Sequence, residues 1–99
     1  MTTQNYVVRA NKGKPRIWIE GKRLSAANFS AGDRFEIIHT RSADQLVMLR
    51  KIDGGRKVSG KEGRPIIDLS GSSCLPFNTG DAVTIEYSLN EITIKGGAA

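Results

Sequence analysis

The stretch Lys14-Pro15-Arg16-Ile17-Trp18-Ile19-Glu20-Gly21 lines up with Arg64-Pro65-Ile66-Ile67-Asp68-Leu69-Ser70-Gly71, fifty residues further on. Each copy is a basic residue, a proline, an aliphatic strand and a glycine. Phe29-Ser30-Ala31-Gly32-Asp33 then matches Phe77-Asn78-Thr79-Gly80-Asp81 at an offset of 48. The two-residue difference falls between Gly21 and Phe29, where a shortened helical turn absorbs it. After each Gly-Asp comes an alternating strand, with Phe35 and Ile37 in one copy and Val83, Ile85 and Tyr87 in the other. A closing apolar strand follows, Leu46 to Leu49 and then Ile92 to Ile94. Self-similarity at a fixed period outranks local propensity in deciding a fold, and this chain reads as a duplication.

Periodicity supplies the elements. Residues 6–9 form a short strand and residues 11–14 a turn, where Gly13 can take positive φ. Residues 16–20 are a strand with Ile17 and Ile19 on one side and Trp18 on the other. Residues 22–28 make a helix of one to two turns holding Leu24, Ala26 and Ala27. Ala31-Gly32-Asp33 turns into a strand over 34–40, and a hairpin loop at 42–44 leads into a strand over 45–51. In the second copy Pro76 limits the helix at 72–75 to a single turn. Neither copy can bury enough apolar surface alone. The expectation is one domain over residues 1–99, with repeats 6–51 and 56–95 sharing one core.

Composition bounds the function. The 99 residues carry a net charge of +5, with 38% hydrophobic, 25% charged and only 6% aromatic side chains. That is a globular chain with an aliphatic core, and its charge favours an anionic partner: nucleic acid, a membrane surface or an acidic protein. The single cysteine, Cys74, excludes an internal disulfide and a cysteine-based zinc knuckle, and points to a reducing cytoplasm. The longest apolar run, Leu46-Val47-Met48-Leu49, is far too short to span a bilayer. The N-terminus has no signal-peptide pattern, so no membrane association is expected.

The charge is unevenly placed. Residues 1–49 and residues 50–64 each carry a net +4, whereas residues 65–99 carry −3. Six basic residues fall within the fifteen of the middle segment, which is therefore either an anion site or a solvated, glycine-rich linker.

The order of strand, glycine turn, proline-led strand, short helix, Phe-x-x-Gly-Asp, strand and hairpin is similar to the AbrB/MazE/SpoVT swapped-hairpin family. Among its branches it is closest to the SymE-like one. The residues that carry the resemblance are Ile17-Trp18-Ile19-Glu20-Gly21, Leu24, Phe29-Ser30-Ala31-Gly32-Asp33 and Phe35-Glu36-Ile37, with their repeats, over nearly the whole chain from Tyr6 to Lys95. In that family two chains interlock their hairpins into a barrel-like dimer. The resemblance implies a fused version: a mainly β fold with one or two short helices, a pseudo-twofold swapped-hairpin barrel of two tandem half-units in one polypeptide. It would be a monomeric pseudo-dimer or a homodimer. The second copy departs from the pattern, with Ser72 and Ser73 where the first has Lys22 and Arg23, so any DNA surface should be lopsided.

The resemblance further implies binding of double-stranded DNA by basic residues flanking the first turn of each copy. These are Arg9, Lys12, Lys14 and Arg16 in the first, and Arg56, Lys57, Lys61 and Arg64 in the second. A dense basic face binds a polyanion through counterion release, while sequence readout needs side chains aimed at base edges. Arginine suits bidentate guanine contacts, which singles out Arg16 and Arg64. Lys22 and Arg23 join the candidates at the start of the first helix. Trp18 either stacks on a base, anchors a protein partner or covers the second side of a barrel.

Asp33 and Asp81 read as turn formers and not as metal ligands, and no cofactor is implied. His39 has no readable nucleophile or orienting group beside it, and no phosphate-loop, nucleophile-elbow or zinc-protease motif occurs. The expected function is therefore DNA binding without catalysis, as a transcriptional regulator or an architectural protein, nucleoid-associated in the cytoplasm. The rival reading is a small inhibitor or antitoxin that docks on a toxin, polymerase or nuclease. The SymE-like branch also suggests RNA cleavage, for which the chain offers no acid–base pair.

Overall fold

Ile17 and Ile19 alternate with Arg16, Trp18 and Glu20, and the strand they form buries the isoleucines and leaves the other side chains outward. A computed structural model describes residues 2–39, 47–74 and 76–96 of the chain. Its elements are β1 (Thr2–Val7), β2 (Arg9–Asn11), β3 (Lys14–Glu20), α1 (Lys22–Ala26), β4 (Arg34–His39) and β5 (Val47–Ile52). They continue with β6 (Arg56–Lys57), β7 (Ser59–Lys61), β8 (Arg64–Ser70), a 3-10 turn (Gly71–Cys74), β9 (Ala82–Ser88) and β10 (Glu91–Gly96).

The fold is mainly β, with two antiparallel sheets and one short helix. One sheet runs β1-β9-β10-β5-β4-β6 and the other β2-β3-β8-β7. Both orders read the same from either edge once each strand is exchanged for its counterpart in the other half. The pairing crosses between halves. β1 of the first half lies on the β9–β10 hairpin of the second, and β6 of the second lies on the β4–β5 hairpin of the first. Closure into a barrel, expected from the resemblance, is not found among the described strands, because β1 and β6 are left as the two edges of an open sheet.

The turns repeat bond for bond. Val8 donates to the Asp81 carbonyl at 2.9 Å, and Val58 to that of Asp33 at 2.8 Å. Gly80 returns a bond to the Val8 carbonyl at 2.8 Å, as Gly32 does to Val58 at 2.9 Å. The carboxylate of Asp33 accepts from the Ser30 N–H, and that of Asp81 from the Asn78 N–H, both at 2.8 Å. This is the turn-forming role their position predicts. Hydrogen bonding to Ser30, and then to Lys51, holds the Asp33 carboxyl below its ordinary range.

One hydrophobic cluster draws on both halves, with counterparts Val8 and Val58, Ile17 and Ile67, Ile19 and Leu69, and Phe29 and Phe77 all buried. Leu24 on α1 and Cys74 on the 3-10 turn fill equivalent places. The Cys74 thiol donates to the Leu69 carbonyl at 3.2 Å, and burial pushes its pKa up.

Several expectations need adjusting. The first strand is longer than residues 6–9 and breaks at Val8, where the chain leaves one sheet for the other. The helix stops at Ala26, with Ala27 buried below it and Ala26 exposed. The segment 56–61, open to reading as a linker, is instead the strand pair β6 and β7. The expected hairpin loop at 42–44 lies outside the described residues.

Candidate nucleic-acid interface

Strand alternation sorts the basic residues by face. Ile17, Ile19, Ile67 and Leu69 point from the four-stranded sheet into the core. The opposite face therefore presents Lys14, Arg16, Trp18 and Glu20 from β3, and Arg64, Ile66, Asp68 and Ser70 from β8. The edge strands add to it, because Arg9 pairs with Arg16, Asn11 with Lys14, and Lys61 with Arg64. Five of the ten candidates, Arg9, Lys14, Arg16, Lys61 and Arg64, thus share one exposed sheet face, with Lys12 in the turn at its edge.

They do not form one continuous patch. β3 and β8 are antiparallel, so the turn at Lys12-Gly13 and the turn at Glu62-Gly63 lie at opposite ends of the sheet. At ~3.3 Å per residue the two ends are about 25 Å apart. Lys12 and Lys14 mark one end, Lys61 and Arg64 the other, and Arg9 lies on the edge strand level with Arg16. Lys22 stands near the second end, since Gly21 donates to the Pro65 carbonyl at 3.1 Å. Among the described residues none of these six has a carboxylate partner within ion-pair distance.

The centre of the face is neutralised. Arg16 sends Nε to Asp68 Oδ1 at 2.9 Å and Nη2 to Oδ2 at 3.0 Å. Its guanidinium carbon also lies 4.5 Å from the centre of the Trp18 ring. The hydrogen bond to Asp68 raises the guanidinium pKa above its ordinary value. The bidentate fork that made Arg16 a candidate for reading guanine is thus already filled by a carboxylate of this chain. Arg64 carries no such partner among the described residues.

The remaining candidates sit elsewhere. Arg56 and Lys57 lie on β6 at the edge of the six-stranded sheet, and Arg56 donates to the Ser73 hydroxyl. Arg23 projects from α1 beside a cleft of about 510 Å³ that is also lined by Gln4, Tyr6, Arg9, Ala10, Arg16, Trp18, Ile19 and Glu20. Tyr6 closes this cleft on β3, its hydroxyl accepting the Trp18 backbone N–H at 3.0 Å.

Comparison of the chain with models of known families, with curated proteins and with solved structures finds no match. The site must be read from its own geometry. Among the described residues no group of histidine, cysteine, aspartate and glutamate could hold a metal ion. His39 is exposed at the end of β4. Among the described residues no helix is long and apolar enough to cross a membrane.

Three contributors escape sequence reasoning: Tyr6, Glu20 and the carboxylate of Asp68. Asp68 alone left a signal, since it is the acidic counterpart of Trp18 in a strand that otherwise repeats an aliphatic pattern.

Proposed function

We propose that the chain is a DNA-binding module of the AbrB/SymE-like type. Two tandem half-units would exchange strands across a pseudo-twofold axis, as separate chains do in that family, but without closing into a barrel. The crossed pairing of β1 and β6 supports this reading of the fold. The observation that carries the function is the pair of cationic ends, Lys12 and Lys14 at one and Lys61 and Arg64 at the other, on a single exposed sheet face and with no carboxylate in ion-pair distance among the described residues. Each phosphate that such a cation neutralises releases condensed counterions and adds to affinity. With Arg16 neutralised, the face grips backbone at its ends and offers little at its centre for reading bases. That favours an architectural protein, or a regulator with modest sequence preference, nucleoid-associated in the cytoplasm. The inhibitor or antitoxin reading has less support, because Arg16 already covers one face of the Trp18 ring that would anchor a protein partner.

The test is fluorescence anisotropy of a labelled random duplex over a range of salt concentrations. A linear fall of log affinity with log salt is expected, its slope reduced by about one to two when Lys61 and Arg64 are both changed to alanine. Absence of salt-dependent binding overturns the proposal.

A further inference from the structure

The cleft beside Trp18 is lined by residues that the second half does not repeat. Its lining side chains Tyr6, Arg9, Arg16, Trp18, Glu20 and Arg23 have as counterparts Arg56, Ser59, Ile66, Asp68, Ser70 and Ser73. Not one is kept, although the buried residues behind them are matched hydrophobes in both halves. The divergence brings two aromatic rings and three arginines into one concavity, and shared folding requirements do not account for it.

We propose that this cleft is a nucleotide site, taking an aromatic base together with its phosphate. The volume of about 510 Å³ lies in the range that encloses a small organic ligand. Trp18 and Tyr6 supply ring surface for a base, a contact that tolerates any base because each has a π-face. Arg9 and Arg23 are both exposed and have no carboxylate partner among the described residues, so they are free to take an anion. Arg16 is held in place by Asp68 and braces the Trp18 ring from one side. Glu20 gives the lining its one carboxylate, an acceptor for ribose hydroxyls or base N–H groups. The phosphate separates this ligand from a bare aromatic molecule, and the ring separates it from inorganic phosphate. The same chemistry is offered by a free mononucleotide and by an unpaired nucleotide within a strand.

Trp18 is the only tryptophan in the chain, so its fluorescence reports occupancy directly. The full chain would be titrated with each of the four common ribonucleoside 5′-monophosphates, with the matching nucleosides, and with a 5′-phosphorylated single-stranded oligonucleotide. Saturable quenching by at least one monophosphate is expected, with the matching nucleoside about tenfold weaker. Arg23→Ala, an exposed change on α1, should weaken the monophosphate about tenfold and leave the nucleoside unaffected. Quenching by the oligonucleotide alone would assign the site to an unpaired strand, still as a nucleotide site. The inference is overturned if none of these ligands quenches saturably, or if Arg23→Ala leaves phosphate discrimination unchanged. The Lys61→Ala/Arg64→Ala variant, which tests duplex binding, should titrate like the parent, so the two proposals can fail separately.

Discussion

Trp18 and Asp68 stand opposite each other in the β3–β8 register, and each is also the other's counterpart fifty residues along the chain. The line that relates the two halves therefore passes between them. A tryptophan on one side and a carboxylate on the other mean that this line relates backbones but not chemistry. Arg16 uses both, stacking on one and forking onto the other, while its own counterpart is the uncharged Ile66. The asymmetry of the exposed face is thus concentrated where the halves meet.

Asp68→Ala should release the Arg16 guanidinium at the centre of the face. Duplex binding is expected to tighten at low salt, with the log–log salt slope steeper by about one. Anisotropy titrations of the variant beside the parent check this. An unchanged slope would mean that Arg16 does not face the duplex.

Gly60 holds φ +96, and a Cβ there would lie 2.2 Å from the Arg64 carbonyl oxygen. Its counterpart is Ala10, which needs no such freedom. Gly60→Ala should lower stability by about 2 kcal/mol or more, combining backbone strain with displacement of the β7–β8 turn. Ala10→Gly should cost well under half of that. Urea unfolding of the two variants makes the comparison.

Phe29 and Phe77 are fully buried at equivalent places before their Gly-Asp turns. Either Phe→Ala change should cost ~3–5 kcal/mol, a large part of the ~5–15 kcal/mol that holds a domain together. Because the core is shared, each variant should still unfold in one transition. Biphasic unfolding, with one half persisting, would contradict a common core.

Burial pushes the Tyr87 phenol up to about 12, and its hydroxyl donates to Gln4 Oε1 at 2.7 Å. In the unfolded chain a tyrosine ionises near ~10. Between these values the unfolded state loses its proton while the folded state keeps it, so stability falls as pH rises through that window and is intact below it. Urea midpoints measured from pH ~9 to ~12 should drop in the parent and stay flatter in Tyr87→Phe.

Much of this fold was legible in the sequence, because a duplicated strand of proline, aliphatics and glycine can be aligned by eye. β6 and β7 were not, since Arg56-Lys57 and Ser59-Gly60-Lys61 have poor strand propensity and become strands only by pairing with β4 and β8. The basic residues were individually visible, but their division between two ends of one face depends on β3 and β8 running antiparallel, which composition does not state. The capture of Arg16 by Asp68 bridges 52 positions and follows from register alone. Tyr6, Trp18 and Arg23 meet only because the chain changes sheets at Val8, a step carried by two backbone bonds to the Gly80-Asp81 turn.

The crossing of β1 and β6 between halves also sets an order of events during synthesis. β1 leaves the ribosome well before the strand it pairs with, β9, which begins at Ala82. Until β9 emerges Thr2–Val7 lacks the strand it pairs with, and the β4–β5 hairpin waits for Arg56-Lys57. The six-stranded sheet can therefore be completed only once β9 is available to β1. Truncation at the midpoint would leave a chain with open strand edges, one that associates with copies of itself more readily than it folds alone.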